Sequence, residues 1–458
     1  MRAGALVLPL VVAALACGAR VEPRAVEAEA PATEPATPQR RALAHPRETA
    51  GCPIGPVVRE TLKLRAATLV GEVAGKRWVV AIPDGEEPPA LLLHLEGDGR
   101  LATTALPWWS EDVAIERGPA PALRVVDATA PRWLAVDLQD PEAPRVGAAS
   151  PIGGLAPGDA VKGVASDGQR ALVSLYRRNT AKATPPYLGE TTLLDVSSGA
   201  RRGATAPATV WAAECAGGRC YGLAEANRAP QPSVIVALDD AGYRELVELG
   251  PWPCGGAQTW RDGDAWHVAW SDRGRVGLAV VDLSSGAVQT GALELGGDAC
   301  VELDAVDTPA GRGLVTSVGP RRQLHRIDAA LGSQPQALPP AEHPQRAYAR
   351  VEGWLLAVDY DARSGMIHDP PGPDGSYEYN EIWSLRGLVG LLEPAADGWR
   401  WASKGPLPHD GDDGSLGDGY RPIVMTGPGR GGVLLVGDAG LASEYVAVVD
   451  PCEPPIAR

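Results

Sequence analysis

The residues best placed by type and spacing to do chemistry lie toward the C-terminal end of the chain. Asp410-x-Asp412-Asp413-Gly414, followed by Asp418, gathers four carboxylates on a glycine-rich turn. Hard cations such as calcium want several carboxylate and carbonyl oxygens on a flexible segment of this kind. The EF-hand order with its later Glu is not met. A solvated turn, and another metal held with His368 or His409, therefore stay open beside calcium. Upstream, residues 359–381 form a polar insertion carrying Asp359, Asp361, His368, Asp369, Tyr377 and Tyr379. A loop this long in a compact fold is usually functional or disordered. Trp108-Trp109, behind Pro107, is expected to be partly exposed and could serve a sugar or a cationic ligand.

No catalytic residue is assigned. The chain has no G-x-S-x-G elbow, H-E-x-x-H, P-loop or strand-linked G-x-G-x-x-G. Its seven histidines form no close pair; His94, His267 and His325 lie in strand patterns and read as core residues. Thirteen Trp stand beside no Phe at all. Trp78, Trp133, Trp211, Trp260, Trp270, Trp354 and Trp383 fall within strands, where packing explains them better than ligand binding.

The elements that must position these residues repeat. A short apolar strand ending in an acidic residue recurs as Trp133–Asp137, Thr192–Asp195, Val236–Asp239, Ala279–Asp282, His325–Asp328 and Ala447–Asp450. Turn chemistry follows each copy, as in Ser197-Ser198-Gly199 and Ser284-Ser285-Gly286. An Asp there can cap its own turn, a structural reason for the residue type. A second apolar strand precedes each copy at steps of 41 to 49 residues, with one final step of 80 that must hold inserted loops. Such steps with about four short strands each mark propeller blades. Val280-Val281-Asp282-Leu283-Ser284-Ser285-Gly286 and Leu134-Ala135-Val136-Asp137-Leu138-Gln139-Asp140-Pro141 resemble bacterial secreted β-propellers with YVTN-type or LVIVD-type repeats. The resemblance spans residues 55–452 and speaks to architecture rather than activity.

It implies an all-β chain: a single propeller of about eight four-stranded blades, with seven as the alternative. The last blade has three strands of its own, and Pro56–Leu64 completes it and closes the ring. Removing Cys17 as a lipid anchor leaves six cysteines, which allow 15 pairings. The propeller reading implies Cys52–Cys452 across the seam, Cys215–Cys220 in a tight hairpin, and Cys254–Cys300 between neighbouring blades. In a four-stranded meander the second-to-third-strand loops and the blade-to-blade loops share a face. The 359–381 and 409–420 insertions are thus expected to form one acidic patch there.

Residues 1–16 read as a lipoprotein signal: Arg2, a 14-residue apolar run, then Ala14-Leu15-Ala16-Cys17, which resembles a bacterial lipobox. Cys17 would carry the lipid, and Gly18 after it suggests the outer membrane. Residues 17–50, rich in Ala, Pro and Glu, are expected to be a disordered tether; 51–452 are the propeller and 453–458 a tail. The net charge of −15 argues against a nucleic-acid partner. The expected role is an envelope lipoprotein and monomer, membrane-bound through its anchor only, which binds or scaffolds an envelope protein or glycan through the acidic face. Alternatives are an enzyme at the channel mouth (hydrolase, lyase or quinone-type dehydrogenase) and a calcium- or sugar-dependent adhesive module. No cofactor is expected, calcium being the exception.

Overall fold

In the strands that carry the repeat, burial is continuous rather than alternating. Ala122–Val126 is buried at every position, and Arg219–Ala226 and Arg275–Asp282 at almost every one. A strand buried on both faces must lie between two neighbouring sheets. The computed structural model describes residues 41–43 and 57–448, leaving out 63, 74, 84–87, 97–99, 118–119, 128–129, 154–159, 179–186, 229–230, 252–253, 255, 309–310, 319–320, 329, 344, 352, 369–378, 407–419, 428–429 and 438–442.

Among the described residues the strands form eight antiparallel meanders, here blades 1 to 8. Blade 1 runs from Leu64–Val73 through Lys76–Pro83 and Ala90–Leu95 to Leu101–Leu106, innermost strand first. The inner strands of blades 2 to 7 are Val113–Glu116, Ala160–Ser166, Ala208–Ala216, Ala257–Asp262, Glu302–Thr308 and Gln345–Val351. Blade 8 has three strands of its own, Tyr420–Gly427, Arg430–Gly437 and Ser443–Val448. Its fourth comes from the other end of the chain: Val57–Leu62 pairs antiparallel with Ser443–Val448, from Val57↔Val448 to Leu62↔Ser443. This is the closure expected from the sequence. Arg41–Leu43, placed by the sequence reading in the tether, adds a further short strand along Val57–Arg59.

Each pair of consecutive blades encloses one apolar core. Trp78, Leu92, Leu123 and Val136 fill the space between blades 1 and 2. At the seam, Leu64, Val79, Leu93 and Leu95 of blade 1 meet Met425, Leu434 and Val436 of blade 8. The remaining six junctions have equivalent clusters. Blades 6 and 7 also join at their outer edges through one parallel pairing, Ala337↔Gly398. A Cβ on Gly398 would stand 2.4 Å from the Ala337 carbonyl oxygen, so only glycine fits there.

The acidic strand ends act as local caps. Asp195 Oδ1 accepts the Ser197 and Ser198 amides, each at 3.1 Å, and Gly199 follows at φ +67°. Asp282 Oδ1 accepts the Ser284 and Ser285 amides at 2.9 Å, ahead of Gly286 at φ +75°. Hydrogen bonds from the serine hydroxyls and amides hold Asp282 down at about 2. Two disulfides lie among the described residues. Cys215–Cys220 bridges opposed positions of the blade 4 inner hairpin. Cys254–Cys300 ties the entries to the inner strands of blades 5 and 6 across 46 residues, worth roughly 4 kcal/mol in the chain-entropy model. Both are pairings the propeller reading implied; Cys17, Cys52 and Cys452 lie outside the described residues.

A chain beginning at Leu64 lacks the closing strand. It is expected to melt at least about 5 °C below the full chain by circular dichroism. An equal melting temperature would mean that blade 8 is stable on three strands.

Candidate functional site

The antiparallel meander gives the ring two unlike faces. One carries the second-to-third-strand and blade-to-blade connections, where the sequence places its binding residues. The other carries the hairpins that end the inner strands.

On the first face the blade 7 insertion is a paired structure rather than an open loop. Trp354–His368 and Tyr379–Ala395 form one unbroken ladder from Leu355↔Leu392 to His368↔Tyr379. The inner strand of the blade ends its pairing at Gln345↔Tyr360, so the hairpin continues beyond the sheet as an arm. Eight further residues at about 3.3 Å each make it about 25 Å long. Asp361, His368 and Tyr379 lie on this arm; Asp369 and Tyr377, with Asp410, Asp412, Asp413 and Asp418, fall outside the described residues.

Asp359 sits at the root of the arm and is not presented to solvent. Its side chain is fully buried, accepts the Glu342 amide at 2.9 Å and the His343 amide at 3.1 Å, and pairs with Arg346. The same guanidinium donates to the Pro339 and Pro340 carbonyls at 3.1 and 3.2 Å. The pair therefore fastens the connection from blade 6 onto blade 7. Trp108 also departs from expectation, being only 7 % exposed. It packs into the core between blades 1 and 2, and the Arg132 guanidinium covers it at 4.6 Å. Crossing from one blade to the next places Trp108 over that core, and an indole fills the gap. Trp109 is half-buried against the same cluster.

The three strand histidines are core residues, as their patterns suggest. His94 lies 4.6 Å from Trp78, and His267 stacks on Trp260 at 4.9 Å. His325 Nε2 and Nδ1 bond Thr316 and Ser333. Burial lowers all three, His94 and His325 to about 4, so they are neutral at pH 7.

The second face holds a charged channel mouth that the sequence reading missed. Inner strands end there with Glu72, Glu214, Arg261 and Asp307, and Arg117 follows the inner strand of blade 2. Arg117 and Arg261 both pair with Glu214, at 3.0 and 3.1 Å. Arg312 pairs with Asp307 at 3.0 Å. Burial, together with a hydrogen bond to Asp307, pushes Glu72 up to about 7. Deeper in the channel, burial raises Asp304 to about 6 against the pull of Arg77. Two adjoining cavities of about 340 and 300 Å³ open here, and Glu72, Arg117 and Arg312 line both. Among the described residues no group of three or more His, Cys, Asp and Glu could hold a metal ion. The signal for this site is a charged residue at the end of the inner strand, in blades 1, 2, 4, 5 and 6. It is faint because the strongest apolar periodicity belongs to the second and third strands.

Eight meanders with eight shared cores and a strand supplied by the opposite end of the chain define an eight-bladed β-propeller. No family model matches the chain, and no curated protein matches it in sequence. Among solved structures it is similar to BamB from Moraxella catarrhalis, at 10% identity and TM-score 0.41 over 84% of this chain and 99% of that one. It is also similar to the periplasmic gluconolactonase PpgL from Pseudomonas aeruginosa, at 11% identity and TM-score 0.43 over 73% and 95%. A third is the Dos1 propeller, at 10% identity and TM-score 0.42 over 90% and 96%. Likenesses at this level carry no information on activity.

Replacing Asp359 by Ala leaves the Arg346 charge buried without its partner. The substitution is expected to cost about 3–5 kcal/mol in urea unfolding. A loss under about 1 kcal/mol, the range of exposed pairs, would contradict the locking role.

Proposed function

We propose that this protein is an exported, lipid-anchored β-propeller of the cell envelope that binds or scaffolds a partner protein through the arm of blade 7. The observation that carries the reading is the arm itself. Its unbroken ladder carries blade 7 eight residues past the last pairing of its inner strand, against two in blade 3, on the face of the blade-to-blade connections. Among the described residues, blade 7 fills the cores on either side of it from positions 347–360 and 389–401, within its four-stranded sheet. The acidic composition of 359–381 and 409–420 suits a basic partner surface.

Export is supported by the lipobox-like Ala14-Leu15-Ala16-Cys17 and by two disulfides, which persist in oxidising compartments. Within this reading Cys17 is the acylated first residue of the mature chain and the outer membrane its destination. The seam is closed by Cys52–Cys452. The protein acts as a monomer and as a binder rather than an enzyme.

Two experiments test it. Intact mass and non-reduced peptide mapping of the protein from its native envelope are expected to show an acylated Cys17 and linked Cys52–Cys452, Cys215–Cys220 and Cys254–Cys300 peptides. An unmodified N-terminus with free thiols would refute export. Replacing residues 361–386 with an Asn-Gly turn is expected to leave the melting temperature within about 2 °C, since it retains every described core member of blade 7. The same change is expected to abolish the envelope species that cross-links to a photoreactive residue at position 342, a retained exposed site in the blade 6–7 connection on the same face. Recovery of that species by the armless chain would overturn the binding role of the arm.

A further inference from the structure

The channel mouth on the opposite face has the makings of a ligand site of its own, independent of the arm. Its lining comes from blades 1 to 6, and its shape depends on a backbone irregularity. In the inner strand of blade 4 the register shifts between Val210 and Ala212, leaving Trp211 as the extra residue of a bulge. In blade 1 the same occurs between Leu69 and Gly71, at Val70. Bulges turn a side chain out of the alternation of its strand. Both Val70 and Trp211 line the 340 Å³ cavity. Trp211 keeps 39 % of its surface exposed, whereas Val210 beside it is fully buried. Two inner strands thus give up regular pairing where they pass the cavity.

The polar lining is mixed. Three arginines, Arg117, Arg261 and Arg312, and three carboxyls, Glu72, Glu214 and Asp307, line the two cavities, with Arg77 and Asp304 as charged neighbours. Arg117 and Arg261 share Glu214, and Arg261 also reaches Asp264 at 3.7 Å. Arg117 and Arg312 retain 31 % and 22 % side-chain exposure and stand where the two cavities meet. An indole that keeps 39 % of its surface exposed can pack against the C–H face of a sugar ring. Arginine guanidinium groups suit a carboxylate, which they can grip with two parallel hydrogen bonds.

We propose that the channel mouth binds an acidic saccharide, a uronic acid or a short chain ending in one, with its carboxylate between Arg117 and Arg312 and its ring against Trp211. Binding is linked to protons through Glu72. The groups facing Glu72 are Asp307, which shares a hydrogen bond with it, and Arg77 and Arg312; Asp304 stands behind Arg77, and Arg117 lines the same cavities. Below about pH 7 Glu72 is neutral and no longer offsets the charges of Arg77 and Arg312. As pH rises through that value Glu72 becomes anionic and repels the ligand carboxylate. Asp304, raised to about 6, acts in the same direction.

The test is isothermal titration of the full chain with D-glucuronate, D-glucose and acetate. It is run at about pH 6 and about pH 8, on either side of the Glu72 value of about 7. Glucuronate is expected to bind at least about tenfold more tightly than glucose or acetate at the lower pH, and severalfold more weakly at the higher. Arg117→Gln is expected to cost about tenfold with an unchanged melting temperature, because Glu214 keeps Arg261. Glu72→Gln is expected to lose most of the pH dependence, the remainder coming from Asp304. Equal affinity for glucuronate and glucose would overturn the carboxylate site, and acetate matching glucuronate would overturn the saccharide. Full pH dependence retained by Glu72→Gln would overturn the proton linkage. The chain without its arm is expected to titrate as the full chain does, so failure of the arm reading and failure of this one give different results.

Discussion

Everything in this molecule depends on sheets that are apolar on both faces. Within Arg219–Ala226 alone, Cys220 and Ala224 pack toward blade 3 while Tyr221 and Leu223 pack toward blade 5. A sheet built this way cannot be covered by one neighbour; it needs two, and so does each neighbour. An open row would leave two apolar faces in water, each side chain forfeiting about 1.5–3 kcal/mol of burial. A closed ring is the arrangement in which no face is left over. That requirement accounts for the strand at Val57–Leu62, for blades of near-constant length, and for a channel whose lining is the one set of side chains excused from packing.

This explains what was legible in the sequence. Second and third strands lie deepest between blades, so they are the most uniformly apolar, and their recurrence exposed the repeat. The Asp at each strand end was legible because its role is local: Asp195 and Asp282 act on amides two and three residues away. Even the seam could be read, since the last blade lacked a strand and the first segment had a spare one. Trp270 shows the limit of such reading. It belongs to the blade 4–5 core, as a strand tryptophan should, but only because Gly277 on the adjacent strand has no Cβ, which would lie 2.0 Å from the indole.

The sites were less legible for physical reasons. Asp359 looked like a binding residue because carboxylates are usually solvated; that it is buried depends on Arg346, thirteen positions away, folding back onto it. Trp108 reads as exposed because it follows Pro107 at a blade junction, and the meeting of two blades there is what buries it. The arm was read as a loop because its residues lack apolar alternation, and its pairing follows from backbone register alone. Glu72 and Asp307 stand 235 positions apart in the chain and meet across the channel. Nothing in the spacing of either one points to the other.

The seam also sets an order of events. Val57–Leu62 is made first among the blade strands, and its partner Ser443–Val448 is made last. Throughout synthesis the early strand has an unsatisfied edge, and blade 1 has a bare apolar flank awaiting Met425, Leu434 and Val436. The chain can stack blades one upon another as they appear, but it cannot complete the cooperative unit until almost its full length is free to move. Assembly is therefore a single late event governed by long-range loop closure, slow by the standards of local folds. During that interval the protein is a substrate for whatever holds unfinished chains apart, because its exposed edge and flank are a template for any similar strand nearby.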